Sequence, residues 1–398
     1  MSIHYISCIM GQPFSWLLRR YSAPPSFGPL VGAPVDVLLL ISDQLAANPE
    51  AIVALSLTCK SLYVMFRKER INLRGVQRKA LLLLLEKDFG DKIYYCPFCS
   101  RLHPFSPSWS PTTREYRLRS ARKGRRCRYA RCPIRGQAFY LHNHCRYSLG
   151  YHHARLVMNR HLFGAPNGLP LDNLQDFFME TRGFNIPPWT QDWTARIIDN
   201  ELFLSAVHNY VCYEGSPTAL RALIDREVHF ICPHVVTADP FGSRVDEIRE
   251  LKDPKLDPCH PPPLDSDGQK PRLDSSFIRC RDVLRFCSWC LTDFTITIEW
   301  VEVCDRTSEI VPATARKRGL TLYEDKIRHW YEAEPHEKPD AAGWQITITA
   351  YHQFGRCRSP RDWKWKALAS WERSTPRRNT ALYPVGSVMQ KWQRSVTT

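Results

Sequence analysis

Apolar positions between Pro34 and Phe66 recur at helical spacing and exceed what short helices can bury against one another. Pro34 suits a first helical turn, where its missing N–H would be unpaired anyway, and Asp36 favours the positive end of the helix dipole. Val37, Ile41 and Leu45 form one stripe, while Leu38, Leu39 and Leu40 carry the apolar surface around the cylinder. Asn48 as N-cap and Pro49 as first helical residue predict a second helix. Ile52, Leu55, Cys59, Leu62 and Phe66 keep its register, with Val53, Leu57 and Tyr63 on another face. Thr58 to Ser61 offers a turn that divides this stretch into two short helices. Such a block is either an amphipathic hairpin within a helical core or a module whose spare apolar face docks on a partner.

Further along, Val76 to Phe89 predicts a helix closed by Gly90 as C-cap. His153 to Phe163 reads as a helix stopped by Gly164, and Leu171 to Met179 as a short helix. Pro217 to Arg226 reads as a helix leading into Val228–His234. From Thr194 to Tyr213 the pattern changes to alternation, which predicts two strands turning at Asp199-Asn200. Phe294 to Val303 alternates most clearly, and Trp344 to Tyr351 is its expected antiparallel neighbour. No repeat of solenoid or propeller period is present. The fold class expected is α+β, an N-terminal three-helix module followed by a larger mixed domain with an antiparallel sheet. Its expected divisions are a disordered tail at 1–32, the module at 33–72 and the larger domain at 73–398, with a Pro/Asp-rich insert at 253–274.

A hydrophobic content of 43% and 12 Trp support a substantial core. No run approaches the roughly 20 apolar residues that span a bilayer, so no membrane partner is expected. Residues 1–10 carry no basic region of a secretory signal. Arg19-Arg20 after an apolar patch share features with a mitochondrial presequence, but Pro24, Pro25, Pro29 and Pro34 favour a disordered tail. A cytoplasmic or nuclear location is expected, in which the 15 cysteines stay reduced.

The net charge of +15 is uneven. Residues 114–135 hold ten of the basic side chains and a single acid, Glu115. This segment reads as a solvated loop, a nuclear-import address or a nucleic-acid patch. Only Tyr116 and Tyr129 lie within it, so base stacking has little support.

Zinc takes four tetrahedral Cys or His ligands, and a Cys-x-x-Cys turn supplies two at the right separation. Two such turns occur, Cys96/Cys99 and Cys287/Cys290, and Cys232-x-His234 offers a further pair. The sharper expectation is one site from Cys232, His234, Cys287 and Cys290. A second would use Cys96 and Cys99 with ligands drawn from His103, Cys127, Cys132, His142, His144 or Cys145. The long intervals between pairs imply a staple across a folded domain rather than a compact finger. The plainer reading is that these cysteines are small buried hydrophobes. Neither turn lies in a βαβ pattern, which disfavours a thioredoxin-like role.

Catalytic motifs are not evident: there is no His-Glu-x-x-His, Gly-x-Ser-x-Gly or phosphate-binding Gly-x-x-x-x-Gly-Lys. His142, His144, His152, His153 and His161 cluster in sequence without a spaced carboxylate and read as core or surface histidines. No catalytic residue is expected.

The Pro34-x-Asp36 entry, the aliphatic helix and the run Leu55-Ser56-Leu57-Thr58-Cys59-Lys60-Ser61-Leu62-Tyr63 resemble an F-box, with Ala33-Pro34 in place of the usual Leu-Pro opening. Over most of its length the chain is similar to a family of fungal F-box proteins. That likeness rests on Tyr94–His103, Ala154–His161, Cys232-Pro233-His234, Cys287–Phe294 and the Arg358–Trp365 stretch. The resemblance implies a substrate-recognition adaptor of a cullin-RING (SCF-type) ubiquitin ligase. Pro34, Leu38, Ile41, Leu45, Leu55, Leu57, Leu62 and Tyr63 would divide between the module's core and contact with the ligase's linker subunit. A protein substrate would be held by the region after about residue 75. Two alternatives stand beside it: a zinc-stabilised nucleic-acid-binding protein using residues 114–135, and an interaction protein with an F-box-like fold outside any ligase.

Overall fold

A computed structural model describes residues 33–58, 60–66, 73–112, 138–140, 147–180, 189–212, 224, 229–237, 246–247, 280–302, 342–369 and 377–395. The expected tail at 1–32, the basic segment at 114–135 and the insert at 253–274 lie outside these residues, as does the helix at 217–226 apart from Ile224. The described residues contain seven helices and thirteen strands. They fall into two compact units, one comprising described residues up to 109 with 155–169, the other those between 110 and 154 and from 170 onward.

The first unit opens with helices α1 (Val35–Gln44), α2 (Pro49–Ser56) and α3 (Lys60–Phe66). Pro34 occupies the N-cap of α1, one residue before the position expected, and Asn48-Pro49 open α2 as expected. Leu38, Ile52, Leu62 and Phe66 form a small core between these helices. Helix α4 (Gly75–Asp88) follows, then a hairpin of β1 (Ile93–Cys96) and β2 (Arg101–Pro104). Leu81, Leu82 and Leu85 of α4 pack with Ile93, Tyr95 and Leu102 of the hairpin. Val53, Ala54 and Leu57 lean on the same cluster, so α2 contributes to both apolar cores.

Phe89, not Gly90, caps α4. Gly90 is required for close approach instead: a Cβ there would lie 2.6 Å from the Glu86 carbonyl oxygen and 2.7 Å from Asn167 Oδ1. Glu86, on α4, is fully buried. It receives Nε and Nη2 of Arg155, Nδ2 of Asn159 and the Tyr95 N–H, at 2.5–3.0 Å. Arg155 and Asn159 stand one helical turn apart on α5 (Tyr151–Phe163), which ends at Gly164 with φ +75°. A buried carboxylate with four donors is the arrangement that makes its desolvation tolerable.

The second unit is built on a six-stranded antiparallel sheet, order β11-β12-β13-β7-β6-β5. Its strands are β5 (Asp176–Glu180), β6 (Trp189–Ile198), β7 (Glu201–Cys212), β11 (Cys280–Phe286), β12 (Thr292–Glu302) and β13 (Ala342–Gly355). Strands β6 and β7 turn at Asp199 and Asn200, with φ of 52° and 58°, the two-residue turn whose twist matches a hairpin. Strands β12 and β13 pair along their length as the alternation predicted. Ile296, Ile298, Ile346, Ile348, Ala350 and Leu204 bury one face. The Leu171–Met179 helix does not form. A single 3-10 turn, Leu171–Leu174, leads into edge strand β5, because Phe177 and Phe178 are used in pairing with β6.

Two short strands, β3 (Ala138–Tyr140) and β4 (Ser148–Gly150), form a separate pair. Strands β8 (Phe230–Cys232), β9 (Val235–Val236) and β10 (Asp246–Glu247) make a small sheet. Helices α6 (Trp363–Ala369) and α7 (Ser387–Arg394) complete the unit. Val388 and Trp392 of α7 pack on Phe203 and Leu291. No helix is long and apolar enough to cross a membrane among the described residues.

Candidate metal centre

Two hairpin tips of the second unit converge. Between β8 and β9 the turn Pro233-His234 presents Cys232 and His234. Between β11 and β12, paired to Phe286 and Asp293, the chain turns through Cys287–Cys290. The Sγ atoms of Cys232, Cys287 and Cys290 and a ring nitrogen of His234 lie within 4.8 Å of one another, all buried. A tetrahedral ion with bonds of about 2.0–2.3 Å would set its ligands ~3.5–3.8 Å apart, so only a small contraction is needed.

Local hydrogen bonds shape the Cys287–Cys290 turn. The Cys287 N–H donates to the Thr292 carbonyl and the Thr292 N–H to that of Cys290, both at 2.9 Å. The Trp289 N–H donates to Cys287 Sγ at 3.3 Å, and Cys290 Sγ lies 3.2 Å from Thr292 Oγ1. Thr292 Oγ1 in turn meets His352 Nδ1 at 2.9 Å. The Arg378 N–H donates to the Ser288 carbonyl at 2.8 Å, and the Arg377 guanidinium lies 5.0 Å from the Trp289 ring centroid. Arg378 itself is buried against Asp293 at 2.7 Å, while Asp293 Oδ2 accepts the Val388 N–H that opens α7. The tip is thus held from both sides before any ion binds.

The electrostatics favour a cation. Burial alone would raise the Cys287 thiol, but its close neighbours Cys232, Cys290 and His234 pull it well below its ordinary value. Burial, reinforced by Cys287, drives Cys232 well up; burial, with both other cysteines, does the same to Cys290. A positive ion among the three sulfurs would favour their deprotonation together. Both ring nitrogens of His234 are buried without a hydrogen bond. A buried imidazole in that condition is costly unless a metal takes one nitrogen. These residues can hold a metal ion, and their sulfur-rich donor set suits zinc.

Behind the site the buried sheet face carries Gln191, His208, His352 and Thr292. Gln191 Nε2 lies 2.9 Å from His208 Nδ1, and Trp193 packs against both histidines. Burial lowers His208 to about 4, and burial with His208 lowers His352 to about 3, so both are neutral core groups.

The second expected cluster is assembled in part. Cys96, Cys99 and His103 come together in the first unit, while Cys127 and Cys132 lie outside the described residues, as do His142, His144 and Cys145. Of the histidine run, His152 and His153 are buried and joined at 3.1 Å, and His161 is exposed. Of the residues expected to divide between the module's core and a linker-subunit contact, Leu38 and Leu62 lie in the core, where α1 and α3 close on α2 through them. Ile41, Leu45, Leu55, Leu57 and Tyr63 are half-buried, and Pro34 is exposed. The surface that is free on α1 is Val35, Val37, Leu39 and Leu40, at 59%, 42%, 49% and 63% exposure. Sequence reasoning did not single out Thr292, Trp289 or Arg378. Trp289, inside the Cys-x-x-Cys turn, and Thr292, two positions after Cys290, were within reach of the motif, and Arg378 was not.

Comparison of the chain with family models, curated proteins and solved structures returned no match.

Proposed function

We propose that the chain is a non-catalytic adaptor: a zinc-stapled recognition domain joined to an F-box-like module that docks on the linker subunit of a cullin-RING ubiquitin ligase. The observation that carries this is the apolar outer surface of α1. Val35, Val37, Leu39 and Leu40 face solvent although Leu38 between them is buried, so the module has filled its core and still exposes aliphatic side chains. Such a surface suits burial in an apolar groove. Ubiquitin transfer would belong to other subunits, and this chain's part is to hold a protein substrate. Zinc at Cys232, His234, Cys287 and Cys290 would fix two hairpin tips and leave no open position for chemistry, as structural sites do.

Co-precipitation of the full chain with the ligase's linker subunit tests the adaptor reading. Binding is expected and is lost in the doubly charged variant Leu39→Asp, Leu40→Asp with its thermal midpoint unchanged. Undiminished binding of that folded variant would sink the reading. Zinc is checked separately by metal analysis of the purified chain and of Cys287→Ser.

A further inference from the structure

We infer that the β1–β2 hairpin of the first unit holds a second transition-metal ion, zinc by its ligand chemistry, through Cys96 Sγ, Cys99 Sγ and His103 Nε2. The three ligand atoms lie within 4.8 Å of one another. Cys96 and His103 are buried and Cys99 is half-buried. Cys99 Sγ and His103 Nε2 stand 2.8 Å apart, so an ion taking both would part them by roughly 0.7 Å. The backbone is shaped for it: Cys96-Pro97-Phe98-Cys99 turns, and Ser100, with φ 52°, reverses the chain into β2. A serine in the left-handed region is disfavoured, and such strain gathers where local geometry has a task. The register pairs Tyr94 with His103 and Cys96 with Arg101, so the strand pairing itself delivers the imidazole to the thiols. The Tyr94 ring, 5.8 Å from that of His103, limits its rotation. One divalent ion would bind the two sulfurs and the imidazole together.

This ion would act on the apolar cluster that the hairpin shares with α4. Tyr95 and Leu102 lie in that cluster, and Val53 and Leu57 of α2 lean on it. The metal would therefore set the strand register beneath the helices, independently of the tetrad in the second unit.

The test is metal analysis and cobalt substitution of the full chain. Wild type is expected to bind one metal equivalent more than Cys99→Ser, and Cys287→Ser to lose the other equivalent. Should Cys99→Ser fail to fold, His103→Cys decides the matter. It keeps three ligands, retains both metals, and is expected to raise the thiolate-to-cobalt charge-transfer absorbance by about one thiolate's worth. A metal content equal in wild type and Cys99→Ser, or an absorbance unmoved by His103→Cys, overturns the proposal. Neither readout depends on linker-subunit binding.

Discussion

Glu86 shows how much a single buried charge can commit. Its carboxylate has no access to water and relies on Arg155, Asn159 and the Tyr95 N–H. Removing one partner leaves the other charge buried and unpaired, so Arg155→Ala is expected to cost about 3–5 kcal/mol in denaturant unfolding. Asp192 is the opposite case. Burial, and then Asp176, raise it to about 6. The folded chain then binds more protons than the unfolded one between roughly pH 4 and 6. This group's contribution is favourable at low pH and is lost as pH rises through its folded pKa. Asp192→Asn is therefore expected to stabilise the protein by about 1 kcal/mol at pH 7.5, after allowance for its partial exposure, and to change nothing near pH 4. Urea unfolding across that range checks it.

At the scale of elements, local signals were legible where the backbone alone decides. Asp199-Asn200 announced the β6–β7 turn because few residues accept its left-handed angles, and Asn200→Ala is expected to cost roughly 1 kcal/mol there. The tetrad was legible because Cys-x-x-Cys and Cys-x-His each supply adjacent ligands at a hairpin tip. What surrounds the tetrad was not. Thr292 reaches His352 only once β12 and β13 pair, a long-range event that spacing does not encode. Thr292→Val is expected to weaken zinc binding by about 10–100-fold, measured by competition with a chromophoric chelator. Leu171–Met179 misled for a related reason: apolar residues at helical spacing were claimed by a sheet edge. Gly90 looked like a cap and proved to be a point of close approach.

For the whole molecule, the described units each carry their own cores and their own Cys/His cluster. The exposed leucines of α1 contribute little to folding, so charging Leu39 and Leu40 is expected to shift stability by no more than about 0.5 kcal/mol. The tetrad has a consequence for how the chain is made. Its two hairpin tips are separated by roughly fifty residues, so at about 5–20 residues per second the ribosome presents Cys232 and His234 some 3–10 s before Cys287 emerges. During that interval the early tip holds half a coordination shell, and a nascent chain stalled there would offer a free thiol to any oxidant or rival metal.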